Sequence, residues 1–192
     1  MLRRARLLAP LLLLLVPVAA HAAGGLDVDD RRGDGEFAAP DTAKYRALAR
    51  SADIRGATAV ISGERAVFTL VMDAPISALE PERGSNAAGG TWFVCTPGSS
   101  GSGEPCDGTI VTATIDDDVA VDVGWQGTAA PVPPCRPTGS VRGRLLVVKI
   151  AADCVRLTAD VRLRASFGAV LKARRGSALL SDETRASRTG AL

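Results

Sequence analysis

Gly108-Thr-Ile-Val-Thr-Ala-Thr-Ile115, followed after three aspartates by Val119-Ala-Val-Asp-Val-Gly-Trp-Gln126, decides the fold class. The first run is β-branched at almost every position, which favours extended backbone over helix. In the second, Val119, Val121, Val123 and Trp125 recur at every second residue. That period places them on one face of a pleated strand, with Ala120, Asp122, Gly124 and Gln126 on the other.

The same reading extends outward in both directions. Asp53 to Ser62 and Arg65 to Asp73 are two strands joined at Gly63-Glu64, a hairpin pattern. In the second of these, Ala66, Phe68, Leu70 and Met72 share a face. Pro75 to Gly90 is the place for a crossing between sheets, and Thr91 to Thr96 is the next strand. Arg144 to Ala151, apolar on both faces except for Lys149, reads as a central strand. Val161, Leu163, Ala165 and Phe167 alternate with Arg162, Arg164 and Ser166, and Ala169 to Arg174 reads as a separate edge strand. The expectation is an all-β fold: a single antiparallel β-sandwich of about seven or eight strands spanning residues 53–180. Before it lies an acidic arm, residues 23–52, with a short helix over Asp41 to Arg50. After it, 181–192 reads as a disordered tail.

Residues 1–22 fit a secretory signal peptide: Arg3, Arg4 and Arg6, an apolar run from Leu7 to Val18, and small residues around a cut after Ala22. The apolar run is too short for a membrane span, and no second one follows. The mature chain is therefore expected to be secreted, or periplasmic if the source has an outer membrane, without a transmembrane segment. Loss of three arginines and no acid takes the formal charge from +2 to −1. It also removes His21, the only histidine. Catalytic triads and Cys–His dyads need an imidazole base, so these chemistries are excluded. No pair of carboxylates stands out for glycoside hydrolysis. The chain reads as non-enzymatic, and nucleic acid is not an expected partner.

Four cysteines in an exported chain read as two disulfides. Their spacing contains no C-x₂-C pair, and no histidine remains to complete a zinc site. Sequence allows three pairings; neighbours, Cys95–Cys106 and Cys135–Cys154, are the expected ones.

Asp116-Asp117-Asp118 are the candidate metal ligands, for calcium, because three adjacent carboxylates repel one another and a hard cation relieves that. A solvated turn is the alternative reading. Asp27, Asp29, Asp30 and Asp34 resemble a calcium loop but lack its alternate spacing and distal Glu. Arg32-Gly33-Asp34 matches an integrin-recognition tripeptide, which chance explains at three residues' length. Trp92 and Trp125 fall on alternating apolar faces and are assigned to the core rather than to sugar stacking. Between Arg142 and Arg188 basic residues outnumber acidic ones 11 to 4. Arg162 and Arg164 share a face there and are the candidate ligand-binding residues, toward an anionic wall polymer.

Asp53-Ile54, a strand, the Gly63 turn, a second strand, and Cys154 ahead of Val161-Arg-Leu-Arg-Ala165 form a pattern across Asp53 to Phe167. It resembles small secreted β-sandwich proteins of high-GC bacteria, themselves similar to DOMON and family 9 carbohydrate-binding domains. The arginine-rich, lysine-poor composition agrees with such a source. The resemblance implies binding of sugars or haem, but haem ligation there uses histidine with methionine, and this chain offers only Met72. The functional expectation is a secreted non-catalytic module binding an extracellular or cell-wall ligand, with no cofactor expected beyond calcium at Asp116–Asp118. The alternatives are a structural or protein-interaction module and, third, an unrecognised hydrolase.

Overall fold

The computed structural model describes residues 25–31, 33–38, 43–79, 87–97, 107–127, 133–156, 160–172, 177–188, 190 and 192. Residues 1–24 (which include the segment expected to be a signal peptide), Cys106 and the Gly/Ser-rich stretch 98–105 lie outside the described residues. The protein is an all-β sandwich of two antiparallel sheets. In chain order the strands are β1 (Gly25–Asp29), β2 (Glu36–Ala38), β3 (Ile54–Ser62), β4 (Arg65–Met72), β5 (Ala87–Cys95) and β6 (Gly108–Ile115). They continue with β7 (Val119–Gln126), β8 (Thr138–Arg142), β9 (Leu145–Ala151), β10 (Arg162–Lys172) and β11 (Ser177–Glu183). The helix α1 (Ala43–Ala52) precedes β3. One sheet runs β1-β3-β4-β9-β8 and the other β2-β11-β10-β5-β6-β7.

The core follows from period-two alternation on the facing strands. Ala66, Phe68, Leu70 and Met72 of β4 are all buried, as their spacing requires. Opposite them stand Trp92 and Val94 of β5 and Leu163, Ala165 and Phe167 of β10, also buried. The Phe68 and Trp92 rings meet across the sandwich with centroids 6.0 Å apart and planes tilted by 59°. Trp92 Nε1–H donates to the Thr69 carbonyl at 3.3 Å, so the polar edge of the largest core side chain is satisfied. Gly90 is required where side chains of the facing sheet press against β5. A Cβ there would lie 2.6 Å from Leu70 Cδ1 and 3.0 Å from Leu146 Cδ2.

Three expectations are corrected. The strand of Val119, Val121, Val123 and Trp125 is not core scaffold: β7 is an edge strand, and all four side chains are half-buried. Its apolar face closes the open side of the sandwich against β8, where a Cβ on Gly139 would sit 2.2 Å from Val119 Cγ1. Ala169 to Lys172 is not a separate edge strand but the end of β10, which lies between β5 and β11. Gly168 interrupts the apolar pattern without changing its parity, so Ala169 and Leu171 stay buried.

The largest correction concerns the two ends. The acidic arm is not loose. Leu26 and Val28 alternate inward from β1, which pairs with β3 from Gly25↔Val60 to Asp29↔Gly56. The tail is ordered too. β11 pairs with β10 through Ser166↔Glu183, and beyond it Thr184 and Ser187 are buried. Their hydroxyls accept from the backbone N–H groups of Ala165 and Leu163 at 2.9 Å each. Two short apolar pairs, Leu26/Val28 and Ala178/Leu180, were enough to dock segments whose composition is polar.

Candidate functional site

The two ends that composition assigns to solvent meet at one end of the sandwich, and they bring carboxylates together. Asp182 occupies the inward parity of β11, in line with buried Ala178 and Leu180, and is itself only 7% exposed. Its two oxygens accept from the backbone N–H of Ile54 (2.6 Å) and of Glu183 (2.8 Å). The connection between β1 and β2 passes directly over it. A Cβ on Gly35 would lie 3.1 Å from the Ser181 carbonyl oxygen and 3.2 Å from Asp182 Cβ. This connection is pinned from below by Asp53, buried at the end of α1, whose two oxygens accept from Gly33 N–H at 2.9 and 3.0 Å. Gly33 has φ +77°, a conformation glycine adopts without the penalty other residues carry.

In this geometry one carboxylate oxygen from each of Asp30, Asp34 and Asp182 lies within 4.8 Å of the others. Two unit charges at that distance repel by on the order of 3 kcal/mol at an effective dielectric constant near 20. That repulsion favours a retained proton or a bound counter-charge in the cluster. Burial pushes the Asp182 carboxyl up to about 7, with Asp30, Asp53 and Asp34 adding repulsion and the Ile54 N–H opposing it. Asp30 is also raised, first by burial and then by Asp34 and Asp53, against the Arg31 backbone N–H and Arg185. Asp30 Oδ2 is buried and makes no hydrogen bond, a state it shares, among the described residues, with Arg55 Nη1.

Two cavities flank the cluster. One of about 430 Å³ is lined by Asp34, Ser166, Gly168, Ser181, Asp182 and Glu183, so it presents hydroxyls and carboxylates together. The other, about 180 Å³, lies beside α1, with Ala49, Ala52 and Leu180 supplying apolar walls and Arg50 and Asp53 the polar ones. Arg50 Nε is held at 2.7 Å from Asp73 Oδ2, which fixes the end of the helix against the turn that follows β4.

The residues singled out from sequence stand elsewhere. Asp116, Asp117 and Asp118 are all exposed in the β6–β7 turn, where Asp116 N–H donates to the Asp118 carbonyl at 2.9 Å. Among the described residues the carboxylates that converge are Asp30, Asp34 and Asp182, not these three. Arg164 forms an ion pair with Glu183 and lies over the Phe93 ring, 5.7 Å from its centroid. Arg162 shares its face, opposite Cys95 in the β10–β5 register, and is itself engaged with neighbours. Cys135 and Cys154 are disulfide-bonded as expected, with Cα atoms 6.0 Å apart. Cys95 is also disulfide-bonded, while Cys106 lies outside the described residues. Trp125 spans edge and interior, donating from Nε1–H to the Cys154 carbonyl at 2.9 Å.

Asp30 and Asp34 fall within the acidic run that resembles a calcium loop, but the third carboxylate comes from Asp182, far along the chain. No local spacing rule finds such a set. The available sign was an acid at the buried parity of Ala178-Leu-Leu-Ser-Asp182, obscured by two adjacent leucines. No helix of the described residues is long and apolar enough to cross a membrane. No family model matches the chain, and no curated protein or solved structure matches it.

Proposed function

We propose that the protein is a secreted, non-catalytic binding module for an extracellular or cell-wall ligand, and that it engages this ligand through a divalent cation held by Asp30, Asp34 and Asp182. The observation that carries the reading is the convergence of three carboxylate oxygens within 4.8 Å, one of the residues having a buried oxygen without a partner. Calcium suits the donor set, because it takes carboxylate oxygens at 2.3–2.6 Å in flexible geometry and is content with six to eight of them. Two oxygens bound to one such ion stand no more than about 4.8 Å apart, and the three oxygens of this cluster all lie within 4.8 Å of one another. Three carboxylates leave coordination positions open. Asp34 and Asp182 also line the cavity that Ser166, Ser181 and Glu183 border, from which ligand hydroxyl or carboxylate oxygens would complete the shell.

Asp182 gives this site a proton as the competitor of the cation. With no cation, burial first and repulsion from Asp30, Asp53 and Asp34 second keep Asp182 protonated up to about pH 7. Binding is therefore stronger in neutral and alkaline solution than in acid. The test is retention of the mature protein on isolated cell wall and on neutral polysaccharides, in calcium and in EDTA. Calcium-dependent retention that disappears in Asp182→Asn and Asp30→Asn supports the reading. Equal retention in EDTA, or retention on none of these materials, refutes it and turns attention to the protein-interaction alternative.

A further inference from the structure

The outer face of the five-stranded sheet carries a second, oppositely charged feature. Arg65 leaves the β3–β4 turn, Arg136 follows disulfide-bonded Cys135, and Lys149 points outward from β9. All three are exposed and line one cavity of about 290 Å³, with Glu64 and Thr138 at its rim. The register explains the convergence: Thr138 pairs with Lys149 and Lys149 with Val67, two residues beyond Arg65 on β4. Among the described residues none of the three cations is in an ion pair. That contrasts with Arg164 on the other sheet, which Glu183 neutralises. On the same face, Arg142 of β8 stands opposite Leu145, about 13 Å along the strand from the cavity at the usual rise per residue. Between the two lie half-buried Val147 and its register partner Ser140. Among the described strand residues of this sheet, the outward-facing acids are Asp27 and Asp29, on the far edge strand β1.

We infer that this face is a binding track for a linear polyanion bearing repeated carboxylate or phosphate groups, seated by Arg65, Arg136 and Lys149 at one end and by Arg142 at the other. One exposed cation holds one oxyanion weakly in water. Unpaired cations set about 13 Å apart along a strand gain together from a chain that carries a charge at each end. The same chain would lose its condensed counterions on binding. The disulfide has a part in this. It anchors Cys135 to Cys154 and so holds Arg136, on an irregular segment, beside Lys149. The track stands apart from the cation cleft and requires no metal.

The test is fluorescence anisotropy with labelled polygalacturonate and polyphosphate, in EDTA, over 50–500 mM NaCl. Four contacts predict a log–log salt slope near −3, taking about 0.7 per contact as for a single-stranded polyanion. The variant R65Q/R136Q/K149Q should bring the slope near −1 and weaken binding at 50 mM salt by at least about tenfold, with its urea midpoint confirming the fold. Asp182→Asn should leave the slope unchanged, which separates failure of this site from failure of the cation cleft. Three results overturn the inference: an unchanged slope in the triple variant, full competition by 5 mM inorganic phosphate (a concentration on the order of single-anion affinities), or capture by phosphatidylglycerol vesicles with none by either polymer.

Discussion

Replacing Asp182 by asparagine should reverse the sign of its effect on stability between acid and neutral pH, provided divalent cations are chelated. In the folded protein the carboxyl holds its proton up to about pH 7, against an ordinary value of 3.8. Between those values the folded state binds more protons than the unfolded chain, so stability falls as pH rises through this window and levels off above it. The size of the loss is about 4 kcal/mol at 1.36 kcal/mol per pK unit, an upper figure because the surroundings relax. Asparagine does not titrate and removes this loss. It brings its own cost. Asp182 accepts from two backbone N–H groups through two oxygens, and an amide has one acceptor oxygen, leaving a buried donor facing NH₂ at about 1–3 kcal/mol. The variant should therefore be less stable than wild type by about 1–3 kcal/mol at pH 4 and more stable by a similar amount at pH 8. Urea unfolding in EDTA, followed by fluorescence of buried Trp92, reads both values. The pH dependence that the two proteins share belongs to Asp30 and other groups; the difference isolates Asp182. A stability difference that is the same at both pH values would show that Asp182 is not the group held protonated, and the electrostatic account of the cluster would fail.

Other consequences are simpler to read. Trp92→Ala should cost about 3–5 kcal/mol in urea unfolding, since it empties the centre of the core and strands the Thr69 carbonyl. Gly90→Ala should cost about 1–3 kcal/mol by the same measurement, because its Cβ drives into Leu70 and Leu146. Cys135→Ser with Cys154→Ser opens a 19-residue separation; the chain-entropy model gives about 3 kcal/mol for a loop of that length. The triple change D116A/D117A/D118A should leave the calcium-induced rise in melting temperature unaltered, as these exposed side chains do not converge.

The sandwich was legible because alternation is a local property. Each of β3, β4, β6 and β9 could be read from its own residues, and Ala66, Phe68, Leu70 and Met72 are buried as their spacing says. Rank within the sheet was not legible. Val119, Val121, Val123 and Trp125 alternate more cleanly than Trp92 and its neighbours, yet β7 is an edge and β5 an interior strand. A clean alternation marks a strand with one wet face, and edge strands satisfy that most easily. The ends were misread for a related reason. Composition averages over a window, whereas docking of 25–29 and 177–183 rests on two or three side chains each. The acidic cluster followed the same fate, since it exists only where both ends are docked. Asp30 and Asp34 lie in one acidic run without a third carboxylate nearby in sequence, and Asp182 had the inward parity inside a segment assigned to solvent. Arg164 was found on the strand face expected of it, but β11, which supplies its partner Glu183, was not foreseen.

Isothermal titration of calcium into the mature protein at pH 7, in two buffers of different ionisation enthalpy, tests the central claim most directly. The account predicts one ion per chain, bound with net release of a fraction of a proton near the Asp182 midpoint of about 7, and loss of both signals in Asp182→Asn. Calcium binding that survives Asp182→Asn and Asp30→Asn undiminished, or no binding to the wild-type protein at millimolar calcium (the range on the order of extracellular modules), would contradict it.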